Sequence, residues 1–579
     1  MWWVDSERYM QEEGGSDSAL QSLLKRRGFV LPAFEAYGGV SGFIDYGPNG
    51  ASVRRRFLDA WRNHWLARGD IVEVHCPTVT PKEVLEASGH VAEFSDSLSE
   101  CEACGSAHRT DHLLEKELGE VEGWSHSDLD DALAEYKVKC PECGSTSWSP
   151  ARSMNLMFAT SVGPGSRARS AFLRPETAQG MFTMFPTIHR HFRQKLPCGA
   201  IQIGHGYRNE ISPRQGMVRL REFSMAELEY FFDPENPPSV DLESFPHQHH
   251  MISQSGEVEL TLAAAHAQGI MLQPLIAMML GSTLEFLESV GIDLERTRLR
   301  QHRVDEMAHY ASDCWDIEIQ GPYGWVECVG IAHRGCHDLE QHETASPTGQ
   351  FRAWRAFAEP RRVHRHVVKG DGAVLGPRFK HQSGELISTL AAMEILPESW
   401  PFSIELSDGS MVEIDETMAS IVEVDEEIHG TWSLPHVVEP AFGVDRILYH
   451  LFEHSLSIEE KEGEPYLRLN LSASISPYDV AVLPLMDKDG LDELAIKIAQ
   501  TLRNHGAVVD YDASGSIGRR YARCDEIGVP WVLTVDHDSL KNGDVTVRRR
   551  SDGHQIRIPI SDLTEIDSNK LEVDFPPQS

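Results

Sequence analysis

Tyr207-Arg208-Asn209-Glu210, a loop from Ile211 to Val218, and Arg219-Leu220-Arg221-Glu222-Phe223 read as two strands joined by a turn. Such a hairpin presents Arg208 and Glu210 from one strand and Arg221 from its partner to a shared surface. Two guanidiniums there can clamp the phosphate oxygens of a nucleotide while a ring such as Phe223 stacks on its base. A surface hairpin laced by cross-strand ion pairs would show the same pattern, so the stretch alone leaves both readings open.

Two further segments carry chemistry. In Glu439-Pro440-Ala441-Phe442-Gly443-Val444-Asp445-Arg446, a Gly admits close backbone approach and an Arg falls in the first turn of the following helix. Helix amides and Arg446 can face a triphosphate, although a helix cap with an Asp-Arg surface pair fits the same residues. Upstream, Cys101-x-x-Cys104 and Cys140-Pro-Glu-Cys143 are each followed directly by Gly, Gly105 and Gly144. Two such knuckles offer four thiolates to one tetrahedral ion and leave no open position for catalysis, which points to structural Zn²⁺; a redox pair or four unligated thiols is the alternative.

The whole chain bounds these readings. Its 579 residues imply about three or four domains. Hydrophobic residues at 41% and charged residues at 25% exclude wholesale disorder. The longest apolar run, Ile270 to Leu280, is broken by Gln273 and Pro274 and is shorter than the roughly 18 residues a membrane helix needs. Met1 to Asp17 has no basic leader, and six of the ten Cys stand alone, so a reducing cytoplasm is expected. The balance of 53 Lys+Arg against 89 Asp+Glu gives a net charge of −36, with only 13 Lys. Whole-chain charge governs solubility and steering, whereas a phosphate backbone is met by a local groove, so the sum does not veto a nucleic acid. The skew to Arg and carboxylate suits a salt-rich cytoplasm.

Periodicity divides the chain further. Val53, Phe57, Trp61 and Trp65 recur at four-residue spacing and predict a helix ending near Gly69, followed by an extended segment from Asp70 to Pro81. Met154 to Asp233 looks β-rich, Leu275 to Leu287 helical, and Gly443 to His454 a second amphipathic helix. The run from Ala345 to Pro435 looks like an insertion of short strands and Gly turns, and Ser455 to Pro465 like a polar connector. From Pro477 the pattern becomes βαβαβ, closed by a hairpin from Val545 to Ile560.

Taken together, Tyr207 to Glu210 with Arg219 to Phe223 resembles motif 2 of the class II aminoacyl-tRNA synthetases, and Gly443 to Arg446 resembles motif 3. Arg174-Pro-Glu-Thr-Ala-Gln-Gly180, Arg208-Asn-Glu-Ile-Ser-Pro-Arg214, Glu439-Pro440 and Ser514-Gly-Ser-Ile-Gly-Arg-Arg-Tyr-Ala-Arg523 are similar to the glycyl-tRNA synthetases of homodimeric type, archaeal-like, over about Leu20 to Ile566. The fold implied is α+β: a class II antiparallel-sheet catalytic core flanked by helices, a zinc-binding insertion, and a C-terminal α/β anticodon-binding domain with a mixed sheet. The partition implied is a tail at 1–18, core at 19–94 with motif 1, the Cys insertion at 95–150, core at 151–344, an insertion at 345–435, core at 436–472, and the anticodon-binding domain at 473–579. The helix to Gly69 and the strand before Pro77 stand for motif 1, the dimer element.

The activity implied is activation of glycine with ATP and Mg²⁺ to glycyl-adenylate and pyrophosphate, then transfer to the 3′-terminal adenosine of tRNA(Gly), by a homodimer without membrane attachment. Arg208, Glu210 and Arg446 become the expected catalytic residues. Nucleotide contacts are expected from Arg208, Asn209 and Glu210, from Val218, Arg219, Leu220, Arg221, Glu222 and Phe223, from Glu327 and Cys328, and from Gly443, Val444, Asp445 and Arg446. Glu327 is expected to help hold the metal. Glycine contacts are expected from Arg109, Glu176, Phe223, Glu227, Glu439, Pro440, Ala441, Phe442 and Gly443. Three carboxylates attract the ammonium and fill the space a methyl group would take. Ala441 departs from the Ser common in the family, so a hydroxyl contact is expected to be replaced by backbone or water. Arg519, Arg520 and Arg523, with Arg548 to Arg550, are expected to face tRNA. A non-catalytic synthetase-like module that binds RNA or a polymerase is the rival from another class, and a prolyl or threonyl enzyme the rival within it.

Overall fold

The hairpin expected from Tyr207 to Phe223 joins two neighbouring strands of a nine-stranded sheet, one strand in from its edge. The computed structural model describes residues 15–119, 121, 123–213, 216–303, 313–393, 395–461 and 463–565; Arg214 and the first 14 residues lie outside them. The strands are β1 (Ile71–Glu73), β2 (Cys198–Tyr207), β3 (Glu222–Phe232), β4 (Gln248–Ser253), β5 (Gly256–Thr261), β6 (Thr297–Gln301), β7 (Asp313–Gly321), β8 (Gly324–Gly335) and β9 (His436–Gly443). Their order is β5-β4-β6-β7-β8-β9-β3-β2-β1. Every pairing is antiparallel except β1 with β2 and β4 with β6.

Four helices pack around this sheet: α1 (Pro48–Leu66), α2 (Ala178–His191), α3 (Pro274–Val290) and α4 (Val444–Ser455). In α1 the expected ladder of Val53, Phe57, Trp61 and Trp65 is fully buried. Trp61 meets the Phe442 ring edge-on at 5.5 Å, and Phe57 meets Phe286 of α3 at 5.4 Å. Ile447, Leu448, Leu451 and Phe452 bury the inner face of α4. One apolar core thus joins α1, α3 and α4, far apart in sequence, to one sheet face.

The stretch from Met154 to Asp233 is β-rich as expected and also holds α2, in which Met181, Phe182, Phe185 and Ile188 repeat with helical period and are buried together. Two other expectations need correction. Ser455 to Pro465 is no loose connector. Leu456–Lys461 and Glu464–Leu469 pair as an antiparallel hairpin whose partners alternate in and out of the sheet plane. The insertion holds the expected short strands, Phe402–Glu405 against Met411–Ile414, and also long ones, Ala353–Gly370 against Ala419–Ser433, along with helices Gly372–Phe379 and Ser383–Ala391.

The chain divides into two compact units, residues 1–351 with 435–579, and 352–434. The smaller has its own core around Val368, Leu375, Leu386, Leu390 and Ile414. The C-terminal βαβαβ module belongs to the larger unit. Its strands Val480–Pro484, Val509–Tyr511, Trp531–Val535, Asp544–Arg549 and Gln555–Pro559 form a mixed five-stranded sheet, as its pattern suggested.

Candidate active site

Gly206 lies opposite Phe223 in the β2–β3 register. A Cβ at Gly206 would sit 2.7 Å from the Phe223 ring, so glycine is what lets that ring lie across β2. The ring then forms one side of a sandwich. The Arg208 guanidinium lies between Phe94 and Phe223, 5.3 and 5.2 Å from their centroids. Arg221, expected to share the phosphate surface, does not line the cavity. Its Nε and one Nη donate to the Glu210 carbonyl at 3.1 and 2.9 Å and the other Nη to the Ser41 carbonyl at 2.7 Å, knotting the loop to the N-terminal segment. The cavity is faced instead by Arg219, which is paired with Glu210 at 2.8 Å.

On the neighbouring side β9 runs into α4. Arg446 donates through Nε to the Val218 carbonyl at 3.0 Å and through Nη1 to the Glu327 carbonyl at 2.7 Å, with the Glu327 carboxylate 3.7 Å away. Asp445 is a buried lock. Its carboxylate accepts from the Ser224 amide at 2.6 Å and from the Tyr46 hydroxyl, which fixes the start of α4 against β3. Phe442 and Cys328 turn their side chains into the apolar core and reach the cavity edge without a polar group to offer. Asn209, Glu222, Pro440, Val444 and Arg109 are not among the lining residues. The backbone N–H of Asn209 donates to the Leu156 carbonyl at 2.7 Å, Glu222 accepts from the Tyr207 hydroxyl at 3.3 Å, and Val444 is core. Arg109 forks onto Asp111 and lies 3.3 Å from Asp96.

The cavity that results has a volume of about 230 Å³. Arg208, Arg219 and Arg446 line it together with Glu176, Glu227 and Glu439, while Val218, Leu220, Phe223, Ala441 and Gly443 complete its wall. The three acids come from separate places: the turn before α2, strand β3 and strand β9. Residues the sequence reading did not single out hold them. Thr177 donates both its amide, at 2.9 Å, and its hydroxyl to one oxygen of Glu227. Arg334 donates to Glu439 at 2.7 Å and, in a two-pronged bond, to Asp338 at 2.8 and 2.9 Å. Gln179 bridges Glu176 and Asp338 at 2.9 and 3.1 Å, and His90 lies 3.4 Å from Glu176. Thr177 and Gln179 sit inside the Arg174 to Gly180 motif, so the signal was present; Arg334 stands in a strand with nothing nearby in sequence to mark it.

Charge is distributed unevenly among these acids. Burial alone would raise Glu176, but His90, Arg334 and Gln179 hold its carboxyl well below the usual range. Glu227 goes the other way: burial, then the neighbouring Glu439 and Glu176, push it up to about 8. Burial also raises Glu439 despite Arg334. Glu227 therefore holds a proton in the free cavity that an incoming cation would displace.

Cys101, Cys104, Cys140 and Cys143 converge, with all four sulfurs within 4.8 Å of one another. The Cys101–Cys143 and Cys104–Cys140 sulfur separations are 3.5 and 3.7 Å. Sulfurs 2.3 Å from one tetrahedral Zn²⁺ lie about 3.8 Å apart, so the set fits the ion. Gly105 and Gly144 adopt φ of +74° and +75°, the left-handed turn each knuckle needs. Cys140→Ser should lower bound zinc from about one per chain toward zero and make this region protease-sensitive; metal analysis of purified protein with limited proteolysis checks it.

The arginines of the C-terminal module are used differently from expectation. Arg520 is buried and donates to the carbonyls of Pro484, Leu485, Asp512 and Gly515. Arg523 pairs with Asp512, Arg548 makes a two-pronged bond to buried Asp525 at 2.8 and 2.9 Å, Arg549 pairs with Asp552, and Arg550 caps the carbonyls of Gly528 and Leu471. Arg519 is exposed. Local positive charge in this module is thus mostly internal mortar.

This arrangement is that of a class II aminoacyl-tRNA synthetase. Residues 162–369 match the family described as the tRNA synthetase class II core domain (G, H, P, S and T), and residues 479–568 match the anticodon binding domain. A prolyl-tRNA synthetase of Giardia lamblia, solved in complex with prolyl-adenylate, shares the fold with a TM-score of 0.51 at 14% identity, over 95% of this chain and 75% of that one. Closer in sequence are the glycine-tRNA ligases of Methanothrix thermoacetophila, 44% identical over 94% of this chain and 95% of the relative, and of Methanothermobacter thermautotrophicus, 40% identical over 94% and 97%. The chain belongs to the glycine-tRNA ligase family.

Proposed function

We propose that the protein activates glycine with ATP and transfers it to tRNA(Gly), the acidic end of the cavity taking the amino acid and the arginine end the nucleotide. The observation that carries this is the meeting of Glu176, Glu227 and Glu439 with Arg208, Arg219 and Arg446 in one cavity. Glycine offers no side chain to grip, so its ammonium is held by carboxylates and its size enforced by exclusion. A carboxylate oxygen of glycine attacks the α-phosphorus of ATP, and the bond to pyrophosphate breaks. Both reactants are anionic, so the chain contributes charge neutralisation and alignment rather than a nucleophile of its own. Arg208 neutralises the α-phosphate and reacting carboxylate, Arg446 the far end of the triphosphate, and Phe223 supplies a face for adenine once Arg208 swings onto phosphate. Mg²⁺ arriving with ATP would be held in part by Glu327 and would supply positive charge against the triphosphate. The cysteine cluster takes Zn²⁺ as a structural ion, and the working form is a homodimer.

Glycine-dependent exchange of pyrophosphate into ATP tests the reading. Exchange should appear with glycine and not with proline, threonine, serine or alanine; no exchange with zinc-loaded protein at any salt concentration would leave an RNA-binding module instead. The pH profile adds a second check. Glu227, pushed up to about 8, binds a proton in the free cavity and loses it when the ammonium arrives. Raising the pH thus favours the complex. The KM for glycine should fall by up to about tenfold per pH unit between pH 6 and 8 and level off above. A KM that stays flat across that window contradicts the assignment of Glu227.

A further inference from the structure

Glu227 and Glu229 alternate on β3 and so share one face of the strand. Glu229 is completely buried, and neither of its carboxylate oxygens has a hydrogen-bond partner among the described residues. Carboxylate oxygens of Glu227, Glu229 and Glu439 lie within 4.8 Å of one another. The charged groups facing Glu229 are Glu439 from β9, Arg334 from β8, Glu227 from its own strand, and Asp338 from the helix His337–Ala345. The one cation among them, Arg334, already donates to Asp338 and Glu439.

An ionised carboxylate at this place would be unsolvated, without a donor, and surrounded by like charge. We propose that Glu229 is a positioning residue of the ammonium site, an uncharged carboxylic acid behind Glu227 that keeps Glu227 and Glu439 at a separation one ammonium can span. It rests on the glycine-binding reading above and deepens it. The role is twofold. The side chain fills the floor, so that Glu227 cannot fall back from the substrate. Remaining uncharged, it adds no negative charge behind Glu227 and Glu439 that would draw a competing cation into the place meant for the ammonium. Burial, with Glu439 and Glu227 adding to it, raises this carboxyl well above the usual range, in keeping with that state.

The neutral isostere and the truncation separate this from a merely structural role. Glu229→Gln should leave the glycine KM within about threefold of the parent, whereas Glu229→Ala should raise it at least about tenfold with kcat and the ATP KM little changed. Titrating 5′-O-(glycylsulfamoyl)adenosine calorimetrically into the full-length enzyme, in buffers of different ionisation enthalpy, counts the protons released on binding. That count should be the same for the parent and Glu229→Gln, because the proton comes from Glu227. A glycine KM raised as much by Gln as by Ala, a harmless Ala, or a proton count lowered by about one in the Gln variant overturns the proposal. If Glu229→Ala fails to fold, the Gln variant's KM and proton count still decide. A parent enzyme that binds the probe and exchanges pyrophosphate only with some other amino acid would instead overturn the glycine reading itself.

Discussion

Arg334→Met should unfold the enzyme more easily by about 3–5 kcal/mol and abolish glycine-dependent exchange together. Arg334 is buried at the meeting of β8 and β9, its three donor groups shared between Asp338 and Glu439. Removing it leaves two buried carboxyls facing each other with no cation between them. They escape the cost only by taking up protons, and a protonated Glu439 no longer attracts an ammonium. The double variant Arg334→Met/Glu439→Gln should therefore be more stable than the single one, since one unpaired acid is gone, while remaining inactive. Urea denaturation of both variants beside exchange assays separates the two effects. A single variant as stable as the parent would mean that the acids find other partners.

Arg208→Ala should do the opposite: lower the exchange rate by about 10²–10³-fold with little change in stability. Its guanidinium is partly buried between two rings, and among the described residues its one hydrogen bond is a long one of 3.4 Å to the Pro175 carbonyl. Little folding energy is invested there, as suits a group kept available for a substrate. Arg208→Lys should recover a small part of the rate, because an ammonium supplies charge without the flat two-pronged geometry that spans two oxygens. An alanine variant that unfolds, or one that exchanges at the parent's rate, would contradict the assignment.

Elements with one strong period were legible from the chain alone. The tryptophan ladder of α1, the apolar face of α4 and the C-terminal βαβαβ order are local patterns, and each appears where expected. What escaped is non-local. Nothing along the sequence says that Arg334 closes on Glu439, 105 residues away, or that Arg221 is drawn off to the carbonyls of Ser41 and Glu210. The helix α2 was hidden for a different reason: it carries Pro186 and lies between strands, Arg169–Leu173 before it and β2 after it. A motif names residue types that matter, and only the sheet register decides which of them face the same space.

The buried guanidiniums of the C-terminal module bear on how the protein tolerates ionic strength. At molar KCl the screening length shrinks to about 3 Å, so charges meeting across water lose most of their attraction. Arg548 and Asp525 touch with no water between them, and the terminal nitrogens of Arg520 and Arg550 donate to peptide oxygens, so the electrolyte has no room to enter. A module stitched this way keeps its shape in brine, and whatever weakens there will be its grip on partners rather than its own fold.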